Sequence, residues 1–224
     1  MHLKSNFPDY DPDHPLFWEF PAIPKIIHQL WVGPRPRPQR LLDTWKNAHP
    51  DWEYVLWTEE NLKDFRFKNQ KQIDAMPEWN GKADIMRYEI LDRFGGVFMD
   101  ADSECLNPLD PFFLNNDSFS VYENEKQRGG LIACGIMGAV PNCLLMKLCV
   151  DELSKIEVKS PAWWYCGPVF FTWVIQTHNY PIHVYPSHYF LPNHYTGECY
   201  AGTDKIYALH KWGTTTNNYE VTGS

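Results

Sequence analysis

No run of basic residues occurs in this chain of 224 residues, and its formal net charge is −8. Nothing is in place to neutralise a phosphate backbone, which argues against nucleic acid as a main partner. No CxxC spacing occurs among Cys105, Cys134, Cys143, Cys149, Cys166 and Cys199, which argues against a zinc site or a thioredoxin-like motif. Four of the six stand in apolar surroundings and read as small core residues; disulfides are neither implied nor excluded. No unbroken apolar run is long enough for a membrane span. The nearest, Leu131 to Val150, holds Pro141, Asn142, Lys147 and two glycines. It reads as a strand, a Pro-Asn turn and a helix. The start of the chain, with Pro8, Asp9, Asp11, Pro12 and Asp13, is no signal peptide. A soluble protein is expected, cytoplasmic rather than secreted, and the Asn116-Asp117-Ser118 sequon is of a kind that arises by chance. Internal repeats and low-complexity segments are absent.

What is present is an ordinary globular composition, 44% hydrophobic and 21% charged, with enough chain for one sizeable core. Aromatic residues are abundant, with 10 Trp, 12 Tyr and 13 Phe, suited to a core and to stacking on bases and sugars. Residues 1–23, rich in Pro and aromatics, are expected as an irregular arm, and 24–224 as one domain. Residues 25–32 and 53–57 read as buried strands, with a Pro-rich loop over 33–38 and a helix over 41–48 between them. Thr58 caps a short helix. Residues 82–94 predict a helix with Ala83, Met86, Ile90 and Phe94 on one face. Strands are expected at 119–122, 131–140, 182–185 and 206–210, with a polar turn at 124–130. Helices are expected at 142–153 and 168–178. Strands alternating with helices predict an α/β domain with a mostly parallel sheet.

The most informative stretch is Gly-Gly-Val-Phe-Met-Asp-Ala-Asp at 95–102. Gly95 and Gly96 supply a left-handed helix stop, and the apolar run forms a buried strand. Asp100 and Asp102 then fall at the strand's carboxyl end, where open α/β sheets hold ligands. Paired carboxylates there suit a hard divalent cation that itself holds substrate phosphates. Asp84 and Arg87, three apart on the preceding helix, share a face; a local ion pair is the alternative reading. His210 ends the last expected strand, and imidazole joins oxygen donors around Mn2+ readily.

Seven stretches together carry a family resemblance: IPKIIHQLW at 23–31, W-x-x-x-x-P at 45–50, YVLWTEEN at 54–61, KADIMRYEIL at 82–91, GGVFMDAD at 95–102, CGP at 166–168 and His-x-Trp at 210–212. They resemble the DXD-containing glycosyltransferases of family 32, the group of the yeast Och1-type mannosyltransferases and capsular-polysaccharide enzymes. The resemblance implies a GT-A type single domain with a Rossmann-like, mostly parallel sheet flanked by helices. It also implies a UDP- or GDP-linked hexose donor, Mn2+ or Mg2+, transfer with retention, and a glycan, lipid or protein acceptor. Carried onto this chain, Asp102 is the direct metal ligand and Asp100 lies between the metal's water shell and the donor's hydroxyls. His210 completes the metal shell. Asp84 and Arg87 grip the donor sugar, with Arg87, Asp100 and Asp102 carrying the catalysis. Trp31 packs on the base, with His28 and Gln29 shaping that wall. Gly167 brings backbone near the sugar, Lys211 reaches a phosphate, and Trp212 closes over it. The chain departs from the family at Thr214-Thr215-Thr216, where a Ser and a second Trp are usual, and at Cys166, where Thr is usual.

Trp163, Trp164 and Tyr165 offer an acceptor platform, with core packing expected for at least one. No nucleophile stands out. Front-face attack, with the leaving phosphate taking the acceptor's proton, fits that lack; Glu104, Glu123, Glu125 and Asp204 are unranked candidates for assistance. Two other readings compete. One is a non-catalytic sugar-binding relative, against which the intact Asp100, Asp102 and Arg87 argue. The other is a haloacid-dehalogenase-like phosphatase. Its Asp-x-Asp normally follows the first strand with Thr or Val two residues after the second Asp, whereas here the pair lies mid-chain and precedes Ser103-Glu104.

Overall fold

The computed structural model describes residues 22–199 and 202–216. The expected N-terminal arm lies almost wholly outside the described residues. Ile26–Leu30 forms β1 and Glu53–Trp57 forms β2, parallel and in direct register. Between them α1 (Gln39–Ala48) buries Leu41, Leu42 and Trp45. The Trp45 ring is fully buried without an orphaned donor, because its Nε1–H donates to Ser103 O at 3.1 Å and Ser103 Oγ at 3.0 Å. Thr58 opens the short α2 (Glu59–Leu62), its N–H donating to Asn61 Oδ1 at 2.8 Å. α3 (Gln70–Ala75) is not visible in the sequence pattern, since Ile73 is its only large apolar residue. Tertiary contact holds it: Glu89 accepts from the N–H groups of Lys68 and Asn69 at 2.7 and 2.8 Å.

The expected helix at 82–94 starts a turn earlier, as α4 (Trp79–Phe94). Its one-faced reading needs correction. Ile85, Tyr88 and Leu91 are fully buried, and Asp84, Arg87 and Glu89 are buried too, whereas Ala83 and Phe94 are only partly so. The helix is wedged between the sheet on one side and α3, α5 (Leu144–Ser154) and α6 (Ala162–Tyr165) on the other, so no single stripe describes it. Gly95 ends it at φ +63° and Gly96 follows at φ +94°. A Cβ on Gly96 would sit 2.7 Å from the Ile26 carbonyl, so only glycine lets β3 (Gly96–Met99) start against β1.

Asp100 to Asp102 form the turn from β3 into β4 (Ser103–Cys105). β5 (Ser118–Tyr122) and β6 (Ile132–Ala139) follow, then the Pro141-Asn142 turn and α5. The apolar stretch Leu131–Val150 is therefore strand, turn and helix. Among the described residues no helix is long and apolar enough to cross a membrane. α7 (Pro168–Thr177), β7 (His183–Tyr185), β8 (Ala208–His210) and α8 (Gly213–Thr216) complete the order. The main sheet runs β2-β1-β3-β6-β5-β7 and only β6 is reversed. This is the expected α/β class. β8, expected as a further strand, instead pairs antiparallel with β4 in a separate small sheet, with His210 opposite Ser103. Cys134, Cys143, Cys149 and Cys166 are buried, and all six thiols are free.

Candidate active site

A cleft of about 590 Å³ opens along the carboxyl ends of β1, β3 and β5. Asp84, Arg87, Asp100, Asp102 and His210 line its floor, with Trp31, Trp79, Trp163, Tyr195 and Trp212 around them. The Asp100 backbone N–H donates to Gly135 O at 2.9 Å. Gly135 carries a steric duty that the sequence reading missed: any Cβ there would fall on the Asp100 carboxylate. A glycine inside an apolar strand is the available signal for such a close approach. Gln29 supports the same turn from behind. Its Nε2 donates to Asp100 O at 3.3 Å while Tyr54 OH donates to its Oε1 at 2.8 Å.

Arg87 is buried between two carboxylates, with Nη2 at 2.7 Å from Asp100 Oδ1 and 3.0 Å from Asp84 Oδ1. Its Nη1 donates to Cys134 O, and its guanidinium lies 4.9 Å over the Phe98 ring. The planar fork suits this multi-sided grip better than a lysine would. Burial pushes the Asp100 carboxyl up, but Arg87 and then His210 outweigh it and hold it below the usual range. Asp84 goes the other way. Burial pushes it up to about 7, with Arg87 only partly opposing. The two helix residues thus form the ion pair that was the alternative reading, and both also face the cleft.

Asp100, Asp102 and His210 each offer a ligand atom, all within 4.8 Å of one another. His210 Nε2 is 3.2 Å from Asp100 Oδ2 and 3.2 Å from Asp102 Oδ1. The Trp212 N–H lies 3.1 Å from His210 Nδ1, and the Nε2 edge of the ring faces the two carboxylates. Burial lowers the affinity of His210 for a proton, yet Asp102 and Asp100 together raise its pKa above the usual value. Positive charge is therefore favoured at this point. Gly213 N–H fixes the other Asp102 oxygen at 2.8 Å. Two carboxylates and one imidazole converging in this way fit a cation such as Mn2+.

The remaining expected residues divide. Trp31 stands at the end of β1 on the cleft wall, its Nε1–H held by Arg35 O at 2.9 Å. His28 is a core residue: Nε2 donates to Gly95 O at 2.8 Å and Nδ1 accepts from Trp57 Nε1 at 3.1 Å. Trp212 lines the cleft, with its Nε1–H on Asn193 O at 2.7 Å. Lys211 does not. Its Nζ is 2.6 Å from Glu104 Oε2, and Glu104 also takes Arg40 at 2.8 Å. Side chains alternate along extended chain, so with His210 facing the cleft Lys211 faces away. Gly167 is absent from the wall too; a Cβ on it would meet the Trp163 Cα at 2.7 Å and Asp84 Oδ2 at 3.1 Å, so its part is to let the α6–α7 turn close on itself beside Asp84. Trp163 lines the cleft, Trp164 is exposed beside it, and Tyr165 packs on the core. Of the unranked carboxylates only Glu123 is in the wall. Glu125 holds Ser187, and Asp204 lies 3.6 Å from His188. Arg128, Tyr195 and Trp79 complete the wall without having been expected, because they sit in a polar turn, an irregular segment and a helix's first turn.

Known proteins resemble this chain in sequence and in fold. The description "glycosyltransferase sugar-binding region containing DXD motif" matches residues 36–119. Inositol phosphoceramide mannosyltransferase 2 of Schizosaccharomyces pombe is 32% identical over 146 residues, 60% of this chain and 39% of the relative. Inositol phosphoceramide mannosyltransferase 1 of the same yeast is 29% identical over 223 residues, 83% of this chain and 65% of the relative. The chain thus spans less than two thirds of either relative's length. Among solved structures, a glycosyltransferase involved in glycosylation of the PBCV-1 major capsid aligns with TM-score 0.50 and 12% identity, over 88% of this chain and 98% of that one. The UDP-bound glycosyltransferase domain of the YGT toxin aligns with TM-score 0.50 and 11% identity, over 74% and 80%. At such identities the two structures speak for the fold.

Proposed function

We infer that this chain, a relative of the fungal mannosyltransferases that carries the DXD sugar-binding region on a GT-A fold, is a metal-dependent, retaining hexosyltransferase. Its donor is a UDP- or GDP-linked sugar, with mannose the first hexose to test, and its acceptor a hydroxyl of a glycan or of a glycolipid headgroup. The observation that carries this reading is the convergence of Asp100, Asp102 and His210 on the floor of a cleft that begins at Trp31.

Asp100, Asp102 and His210 would hold the cation, whose chemistry there is Lewis-acid neutralisation of charge on the leaving diphosphate. The chain's own residues do the rest. Gly213 N–H orients Asp102. Arg87 keeps Asp100 ionised. Asp84 and Arg87 meet the sugar's hydroxyls, and Trp31 offers its face to the base. Every carboxylate in the wall already has a partner: Glu78 takes Ser160 and Ala162, Asp84 and Asp100 take Arg87, Asp102 takes Gly213, and Glu123 takes Arg128. Front-face attack, which needs no carboxylate nucleophile, is the mechanism proposed. The acceptor oxygen bonds to the anomeric carbon as the bond to phosphate breaks, and the acceptor's proton passes to the leaving phosphate oxygen.

Thermal unfolding with UDP, GDP and their sugars, with and without Mn2+, tests the reading. A ligand at a hundred times its Kd adds about 2.7 kcal/mol, which raises the midpoint by roughly 5–10 °C at this size. The expected result is a Mn2+-dependent shift with one nucleotide, abolished by Asp102→Asn in a protein that still unfolds cooperatively. An equal midpoint in all conditions overturns it.

A further inference from the structure

The order of strands gives the cleft a direction. β1 leads to Trp31, β3 to Asp100 and Asp102, and β5 to Glu123, and these strands lie side by side in the order β1-β3-β6-β5. With the base at Trp31 and the diphosphate at the carboxylates, as proposed above, the β5 end is left for the acceptor.

That end is a built site. Glu123 is only 6% exposed. Its Oε1 lies 3.3 Å from Arg128 Nη1 and 3.4 Å from His194 Nε2. Arg128 Nη2 donates to the Tyr195 hydroxyl at 2.6 Å. The guanidinium lies 5.1 Å from the Trp163 ring centroid and 5.7 Å from that of Tyr195. Trp163 and Tyr195 nonetheless stay 41% and 37% exposed, and both line the cleft.

We propose that Glu123, Arg128, Trp163 and Tyr195 form the acceptor subsite, and that it takes an uncharged polyol ring, a hexose or a cyclitol. Glu123 and Arg128 cancel each other's charge, so the pair attracts neither an anion nor a cation. One accepts and the other donates hydrogen bonds, which adjacent ring hydroxyls satisfy at once. The aromatic faces pack against the C–H face of such a ring. A phosphate on the remaining Arg128 donors would stand beside the Glu123 carboxylate, and that like charge opposes it.

Saturation-transfer NMR on the whole chain with GDP and Mn2+ tests this directly, using myo-inositol, methyl α-mannoside and inorganic phosphate as probes. At least one polyol is expected to bind the parent. Glu123→Gln should weaken it about 10- to 100-fold, as for loss of a hydrogen bond to a charged group, without changing the nucleotide-dependent midpoint shift. Should that variant fail to fold, Tyr195→Ala on an exposed side chain serves instead, with the same loss expected. The subsite is overturned when no polyol binds the parent, when phosphate binds in its place, or when the variant binds like the parent. A parent that binds a polyol through Glu123 yet shows no nucleotide shift upholds the subsite and overturns the donor reading alone.

Discussion

His28 turns the packing behind the site into a measurable pH dependence. Its ring is 1% exposed, donates from Nε2 to Gly95 O and accepts at Nδ1 from Trp57 Nε1. Both nitrogens are satisfied only by the neutral ring, and a second proton would face the Trp57 donor. Burial, against a smaller opposing effect from Gly95, lowers its pKa from 6.5 to about 4. A base with a lowered folded pKa binds fewer protons folded than unfolded between these values. Its contribution is therefore complete above pH 6.5 and is lost as pH falls towards 4. The whole span is worth about 3 kcal/mol, and the part lost between pH 7 and pH 5 about 2 kcal/mol. With a urea m value of about 3 kcal/mol/M, the midpoint should fall by roughly 0.7 M from this group. His28→Gln keeps a donor for Gly95 O and cannot titrate. Urea unfolding of parent and variant at both pH values isolates the difference, since the other groups titrate in both. An equal loss in the two proteins would refute the reasoning, as would an NMR titration placing the parent His28 near 6.5.

Gly96→Ala should cost about 2 kcal/mol or more, from strain at positive φ and the clash with Ile26 O; a change within 0.5 kcal/mol in urea unfolding (about the scatter of a surface substitution) would contradict the steric account. Trp31→Ala should weaken nucleotide binding by 1–3 kcal/mol, roughly 5- to 150-fold, as for loss of an aromatic platform under a base, with ligand-free stability little changed. Calorimetric titration with the nucleotide and Mn2+ checks it, and unchanged affinity would move the base elsewhere in the cleft.

The carboxylate end of the cleft was legible because it is written locally. Gly95-Gly96, the apolar run and Asp100-Ala101-Asp102 specify helix stop, strand and ligand pair within eight consecutive residues. The helix that carries Asp84 and Arg87 was equally visible as a helix. Its burial was not, because periodicity reports one neighbouring layer and α4 has two. His210 was named from its chemistry, but what places it is the pairing of β4 with β8, in which Ser103 meets a residue more than a hundred positions away. Lys211 was misplaced for the same reason. Only the register of that pairing shows which of two adjacent side chains faces the cleft.

The β5 end has no such contiguous signature. Glu123 and Arg128 flank a polar turn, Trp163 stands on α6, Tyr195 lies in an irregular segment, and Trp212 follows β8. Trp163 is legible as part of an aromatic platform, Glu123 as an unranked carboxylate and Trp212 as a closing ring, but Arg128 and Tyr195 read alone as solvated or as packing, and only the fold assembles the group. The two halves also differ in what they demand of the chain. Change at Gly96 or Gly135 meets backbone or the Asp100 carboxylate at once, so the Asp100 end of the cleft is sterically fixed. Tyr195 and Trp163 border open cleft, where side-chain size changes fit without disturbing the sheet. On the proposed placement of donor and acceptor, such a scaffold keeps one donor chemistry while residues at the β5 end set the acceptor. Acceptor preference should accordingly follow substitutions at Glu123, Arg128 and Tyr195, and donor preference should not.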